Sequence, residues 1–220
     1  MEKLFKEEKI NKILFIGDSI TDCGRRDAFY PYGNGYVRIF NDLLISNFPE
    51  KKFEIVNKGI GGNTVLDLHN RWEDDVIYNK PDILTILIGI NDIHRVLRKD
   101  ELWEEYIPEN FRKRYNNILQ RTVEKFNCKI ILMEPFYITI DKTDSFRGTV
   151  LKEIENYIQI VQEMSNKYKT YLINLHRIFQ HHLKYRESET FAPEPVHPNQ
   201  IGHTIIANEI LKIFKNEQNN

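Results

Sequence analysis

A chain of 220 residues, 41% hydrophobic and 29% charged, has an ordinary globular composition and is long enough to bury a substantial core. Its 31 Lys and Arg against 32 Asp and Glu leave a formal net charge of −1, which excludes the basic excess of a general nucleic-acid binder. No run reaches the ~20 apolar residues of a membrane span, and the charged start from Met1 to Lys9 has no signal-peptide character, so a cytoplasmic location is expected.

In chain order, the first apolar run, Lys12 to Ile16, leads into Gly17-Asp18-Ser19-Ile20-Thr21-Asp22. A helical face follows in Val37, Phe40, Leu43, Leu44 and Phe48, and then a second run, Phe53 to Asn57, with the glycine-rich turn Lys58-Gly59-Ile60-Gly61-Gly62-Asn63-Thr64 behind it. The third run, Ile83 to Ile88, opens into Gly89-Ile90-Asn91-Asp92, after which the charged stretch Arg95 to Pro108 reads as an excursion from the sheet. Ile118, Leu119, Val123 and Phe126 form the next helical face, before the fourth run, Lys129 to Glu134, and a loop over 136–148. Another face carries Val150, Ile154, Tyr157, Ile158, Val161 and Met164 ahead of the fifth run, Tyr171 to Leu175. A loop over 184–196 precedes a last helix from about Ile201, with Ile205, Ile206, Ile210, Leu211 and Phe214 inward, and the tail Asn216 to Asn220 is expected to fray.

Runs that are continuously apolar rather than alternating are strands covered on both faces. Alternation of such strands with helices predicts one α/β domain over 1–220, a three-layer sandwich around a doubly wound five-stranded parallel sheet. Ligands of such sheets bind outside the carboxyl ends of the strands, where the strand order reverses. The segments placed there hold a hydroxyl (Ser19), glycines with free backbone N–H groups, a side-chain amide (Asn91), and a carboxylate three residues before an imidazole in Glu194-Pro195-Val196-His197-Pro198. Acyl transfer uses those parts: a hydroxyl needs a base to take its proton, and histidine, oriented by a carboxylate, suits that task near neutral pH. Preplaced donors then stabilise the developing oxyanion.

Gly17-Asp18-Ser19, Gly62, Gly89-Ile90-Asn91-Asp92 and the acid-x-x-His-Pro element resemble, in order and spacing, the four sequence blocks of the GDSL/SGNH hydrolase family. Phe15 to Arg25 and Asn57 to Val65 are further similar to the bacterial intracellular acetylxylan esterases of that family. The resemblance implies a flavodoxin-like SGNH hydrolase fold, with Ser19 as nucleophile, His197 as general base, and the N–H groups of Ser19 and Gly62 with the Asn91 amide as oxyanion hole. Glu194 stands where the family usually has Asp, so its longer side chain must fold back to reach the histidine. No cofactor or metal is implied. The expected substrate is a small acetylated sugar, chiefly short xylo-oligosaccharides, and loop aromatics around Trp103 leave self-association into a homo-oligomer open.

Several residues invite plainer readings. Ser19 could cap a helix, Asp18 is expected to tie the loop after the first strand, and Gly59 and Gly61 to supply positive φ in their turn. The aromatics Trp72, Trp103, Tyr106, Phe136, Tyr137 and Phe191 are candidates for sugar stacking. His69, His94, His176, His181, His182 and His203 receive no role, and Cys23 and Cys128 provide neither a disulfide framework nor metal-ligand spacing. A lysophospholipase or thioesterase acting on longer acyl chains is the alternative within the same chemistry. A phosphoacceptor or nucleotide-binding module is the alternative outside it: Asp18, Asp22 and Asp92 mimic its carboxylates, but Thr64 breaks the dinucleotide glycine pattern and His197 would be left without work.

Overall fold

The computed structural model describes residues 10–218; the charged start from Met1 to Lys9 and the last two residues of the expected frayed tail lie outside the described residues. Five parallel strands, β1 (Asn11–Gly17), β2 (Phe53–Gly59), β3 (Ile83–Leu87), β4 (Lys129–Met133) and β5 (Tyr171–Ile173), stand in the order β2-β1-β3-β4-β5. The central strand β3 is buried along its whole length, which is why its sequence is a continuous apolar run. Burying each such Ile or Leu contributes about 2 kcal/mol. The chain leaves β1 for β2 on one side and returns to β3 on the other, so the switch point lies above the carboxyl ends of β1 and β3.

Helices α2 (Tyr36–Asn47) and α8 (Gln200–Gln218) cover one face, where Phe40 meets Phe214 edge-on at 5.1 Å and Phe15 of β1 at 5.5 Å. The chain also forms α1 (Ser19–Asp22), α3 (Val65–Trp72), α4 (Ile90–Arg98), α5 (Pro108–Lys125), α6 (Ser145–Tyr168) and α7 (Leu175–His182). The aromatic contact of Phe111 with Tyr157, 5.0 Å between ring centres, joins α5 to α6.

Sequence and structure differ at four places. The hydrophobic pattern does not announce α3, because only Val65, Leu68, Trp72 and, in the following π-turn, Val76 and Ile77 face the core of a segment otherwise crowded with charge. The excursion expected from Arg95 begins only after a left-handed Lys99 ends α4, a helix that buries Ile90, Asp92 and Ile93 and leaves Arg98 exposed. Val123, expected inward on α5, is exposed; Thr122 takes the buried place, accepting from the Trp72 indole at 3.0 Å and donating to the Ile118 carbonyl at 2.8 Å. At the far end α8 continues to Gln218, past the point where fraying is expected.

Candidate active site

The turn after β1 is capped by Asp18, not Ser19: Asp18 Oδ1 accepts the Ile20 N–H at 2.9 Å. Ser19 is thereby the first residue of α1, a position whose N–H has no acceptor within the helix. Its Oγ meets His197 Nε2 at 2.8 Å across 178 residues of sequence. Asp18 itself is fully buried, and burial pushes its carboxyl up to about 7 against the opposing pull of the Ile20 N–H and the nearby His197.

His197 lies in the loop before α8, and its Nδ1 is 2.5 Å from Glu194 Oε1. The same carboxylate accepts the His197 N–H at 2.8 Å and the Val196 N–H at 2.9 Å. That is how the extra methylene of Glu is absorbed: the side chain curls back onto its own loop. Partial burial works against its charge, but these N–H groups and the imidazole outweigh it and hold the carboxyl below its ordinary range. The side chains of His197 and Glu194 are 55% and 45% exposed, so the cluster is open to solvent.

The glycine-rich turn after β2 lies against this pair. Ile60 N–H donates to the Gly17 carbonyl at 3.1 Å, and Gly61 N–H donates to Asp22 Oδ2 at 3.0 Å. A Cβ on Gly61 would fall 3.9 Å from that of Ser19. Positive φ occurs at Gly62 (79°), not at Gly59 or Gly61 as the sequence suggests; Gly59 is required for a different reason, since its Cβ would sit 2.3 Å from the Asp22 nitrogen. Asn91, near the start of α4, donates one amide N–H to the Asn63 carbonyl at 3.0 Å, which brings its side chain to the end of the same turn. Its neighbour Asp92 is fully buried and caps α3 instead of its own helix, with both carboxylate oxygens 3.2 Å from the Val65 nitrogen.

Ser19, His197 and Glu194 are thus joined by hydrogen bonds, with the Gly62 turn and Asn91 alongside. Residues 15–205 match the GDSL-like Lipase/Acylhydrolase family model. The chain belongs to that family. An acetylxylan esterase of Geobacillus stearothermophilus is 37% identical over 207 residues, 91% of this chain and 92% of the relative. The crystal structure of Axe2, an acetylxylan esterase from the same organism, superposes with a TM-score of 0.84 at 36% identity, covering 96% of each chain. LAE5, an alpha/beta hydrolase enzyme from the metagenome of Lake Arreo, Spain, gives a TM-score of 0.84 at 30% identity over 97% of this chain and 98% of its own. Axe2 is also known as catalytic mutants in which a serine, a histidine, or an aspartate three residues before that histidine becomes alanine.

Other features of this GDSL-like acylhydrolase depart from the sequence reading. Of the aromatics considered for stacking, Trp72, Tyr106, Phe136, Tyr137 and Phe191 are buried and only Trp103 is partly accessible. The exposed rings on the segment leaving α1 are Phe29 and Tyr30, which lack any periodicity that would have singled them out. Also unannounced were the residues that pin the glycine-rich turn: Asp22, Arg25, whose Nε donates to the Gly59 carbonyl at 2.7 Å, and Arg71. Charged residues on short helices and turns read as solvated faces until their partners are known. Among the described residues no helix is long and apolar enough to cross a membrane. A hollow of about 770 Å³ opens elsewhere, past β4 and β5, lined by Glu134, Gln162, His176 and Arg177 among others.

Proposed function

We propose that the protein is a serine esterase that removes short acyl groups, chiefly acetyl, from carbohydrates, with acetylated xylo-oligosaccharides as the substrate class. The observation that carries this reading is the unbroken hydrogen-bonded line from Ser19 Oγ through the His197 imidazole to the Glu194 carboxylate. In the proposed reaction His197 Nε2 takes the Ser19 proton as Oγ attacks the acetyl carbonyl. Glu194 keeps the remaining proton on Nδ1, fixing the tautomer and stabilising the imidazolium. The N–H groups of Ser19 and Gly62 and the free N–H of the Asn91 amide receive the oxyanion. Collapse expels the sugar hydroxyl, protonated by His197, and leaves acetyl-Ser19; water, activated by the same imidazole, then releases acetate.

The acetylxylan esterase relatives, and the serine, histidine and aspartate altered in the catalytic mutants of Axe2, support this reading. So does the surface position of the cluster, which suits a small acyl group on a bulky polar alcohol. Two cysteines, neither in a disulfide, agree with a reducing cytoplasmic setting. The test is acetate release from acetylated xylo-oligosaccharides by the wild type and Ser19→Ala, beside hydrolysis of p-nitrophenyl esters of increasing chain length. Acetate release lost in Ser19→Ala, with short esters preferred, is expected; preference for chains of eight carbons or more would replace the carbohydrate reading with a lipid or thioester one.

A further inference from the structure

We infer that Arg71 is a positioning residue that sets the oxyanion loop against the nucleophile, an inference that rests on the esterase reading above. Arg71 occupies the end of α3, with its side chain only 16% exposed. From there one guanidinium reaches three segments. Its Nη2 donates to the Gly17 carbonyl at 3.1 Å, two residues before Ser19. Nη1 donates to the Lys58 carbonyl at 2.8 Å, just before the glycine-rich turn, and Nε donates to Asn63 Oδ1 at 2.8 Å, at the end of that turn. The turn carrying the Gly62 N–H is therefore held at its start and its finish by the same group that holds the serine turn.

The chain of bonds extends to the third donor. Asn63 takes Arg71 on its side chain and the Asn91 amide on its backbone carbonyl, so a shift of Asn63 moves both the Gly62 turn and the acceptor that aims Asn91. Asp75, at 2.5 Å from Nη1, balances the charge and is itself met by Lys58 Nζ at 3.0 Å. Only a rigid planar fork with donors pointing in several directions can serve these acceptors together; the single ammonium of Lys cannot. None of the bonds is directed at substrate. Arg71 acts by placing donors whose value depends on sub-ångström aim.

The experiment compares Arg71→Ala, Arg71→Lys, Asn63→Ala and the double variant Arg71→Ala/Asn63→Ala with the wild type. Readouts are kcat and KM on p-nitrophenyl acetate, active-site titration, the thermal midpoint, and inhibition by a methyl trifluoromethyl ketone, which becomes an oxyanion adduct on a serine. Arg71→Ala is expected to lower kcat per titrated site about 100-fold with KM within about twofold, and to weaken ketone inhibition by a similar factor. Asn63→Ala should cost about tenfold, the double variant no more than Arg71→Ala, because both remove one connection. Arg71→Lys should recover part of the loss, and it and Asn63→Ala carry the test if Arg71→Ala does not fold. Unchanged ketone affinity, or a kcat per titrated site equal to the wild type, would overturn the inference and leave Arg71 a fold-supporting residue. A wild type that neither binds the ketone nor loses activity in Ser19→Ala would instead overturn the esterase reading.

Discussion

Two regions at the same end of one sheet divide the molecule's surface between chemistry and volume. Above β4 and β5 lies the hollow of about 770 Å³, where Glu134 is buried, receives Gln162 at 2.7 Å and is pushed up in pKa by that burial. Above β1 and β3, where the strand order reverses, Ser19, His197 and Glu194 sit in the open. At the hollow, His176 Nδ1 accepts the Tyr137 N–H at 3.3 Å, and Gln180 bridges the Tyr137 and Thr139 carbonyls. At the switch point Ser19 Oγ stands 2.8 Å from His197 Nε2, with the Gly62 turn alongside and Asn91 bonded to that turn's end. The line from Ser19 through His197 to Glu194 stands where the topology of such a sheet places ligands, at the switch point.

The comparison breaks most sharply at Ser19 and His197, if they act as proposed. Ser19→Ala and His197→Ala should each lower kcat by about four to six powers of ten, measured as acetate release, with little change in the thermal midpoint. Glu194→Ala should cost about a thousandfold, because it removes the partner of Nδ1 and the acceptor of two loop N–H groups together; near-normal activity would show that the loop alone orients the imidazole. Asn91→Ala should lower kcat about a hundredfold, with KM the less affected constant. On the other side of the comparison, Gln162→Ala should leave kcat/KM within about twofold while lowering stability by about 1–3 kcal/mol, since Glu134 loses its donor. A tenfold loss of kcat/KM there would mean that this hollow takes part in the reaction.

The last effect concerns Asp18 and is read in stability. Its folded carboxyl holds a proton up to about pH 7, whereas the unfolded group ionises near pH 4. Between those values the folded state binds more protons, so this group's contribution to stability falls as pH rises and stays low above 7. Asp18→Asn should therefore match the wild type in thermal midpoint near pH 4 and exceed it at pH 8.5. A wild-type advantage at pH 8.5 would place a charge on Asp18 in the folded state.

The strands were legible because burial on both faces writes them as unbroken apolar runs, and Ser19, Asn91 and His197 because each follows a strand end or precedes a helix in a recognisable block. The family assignment followed from the same blocks. Less legible were elements whose signal is three-dimensional. Helix α3 hides behind its charges, and Arg71 among them looks like solvated surface until the Gly17, Lys58 and Asn63 oxygens are brought to it from three stretches of chain. The positive φ at Gly62 was likewise hidden, since adjacent glycines do not declare which one bends. Sugar-stacking candidates picked by residue type proved to be mostly core, for composition carries no direction.

The closed ring of bonds from Glu194 to the N–H groups of Val196 and His197 and back through Nδ1 makes Glu194 and His197 a single cassette only a few residues long. A rigid displacement of this segment would carry the two together, lengthening the reach to Ser19 while keeping Nδ1 on Glu194. A substitution that displaced this loop would therefore act on both side chains at once.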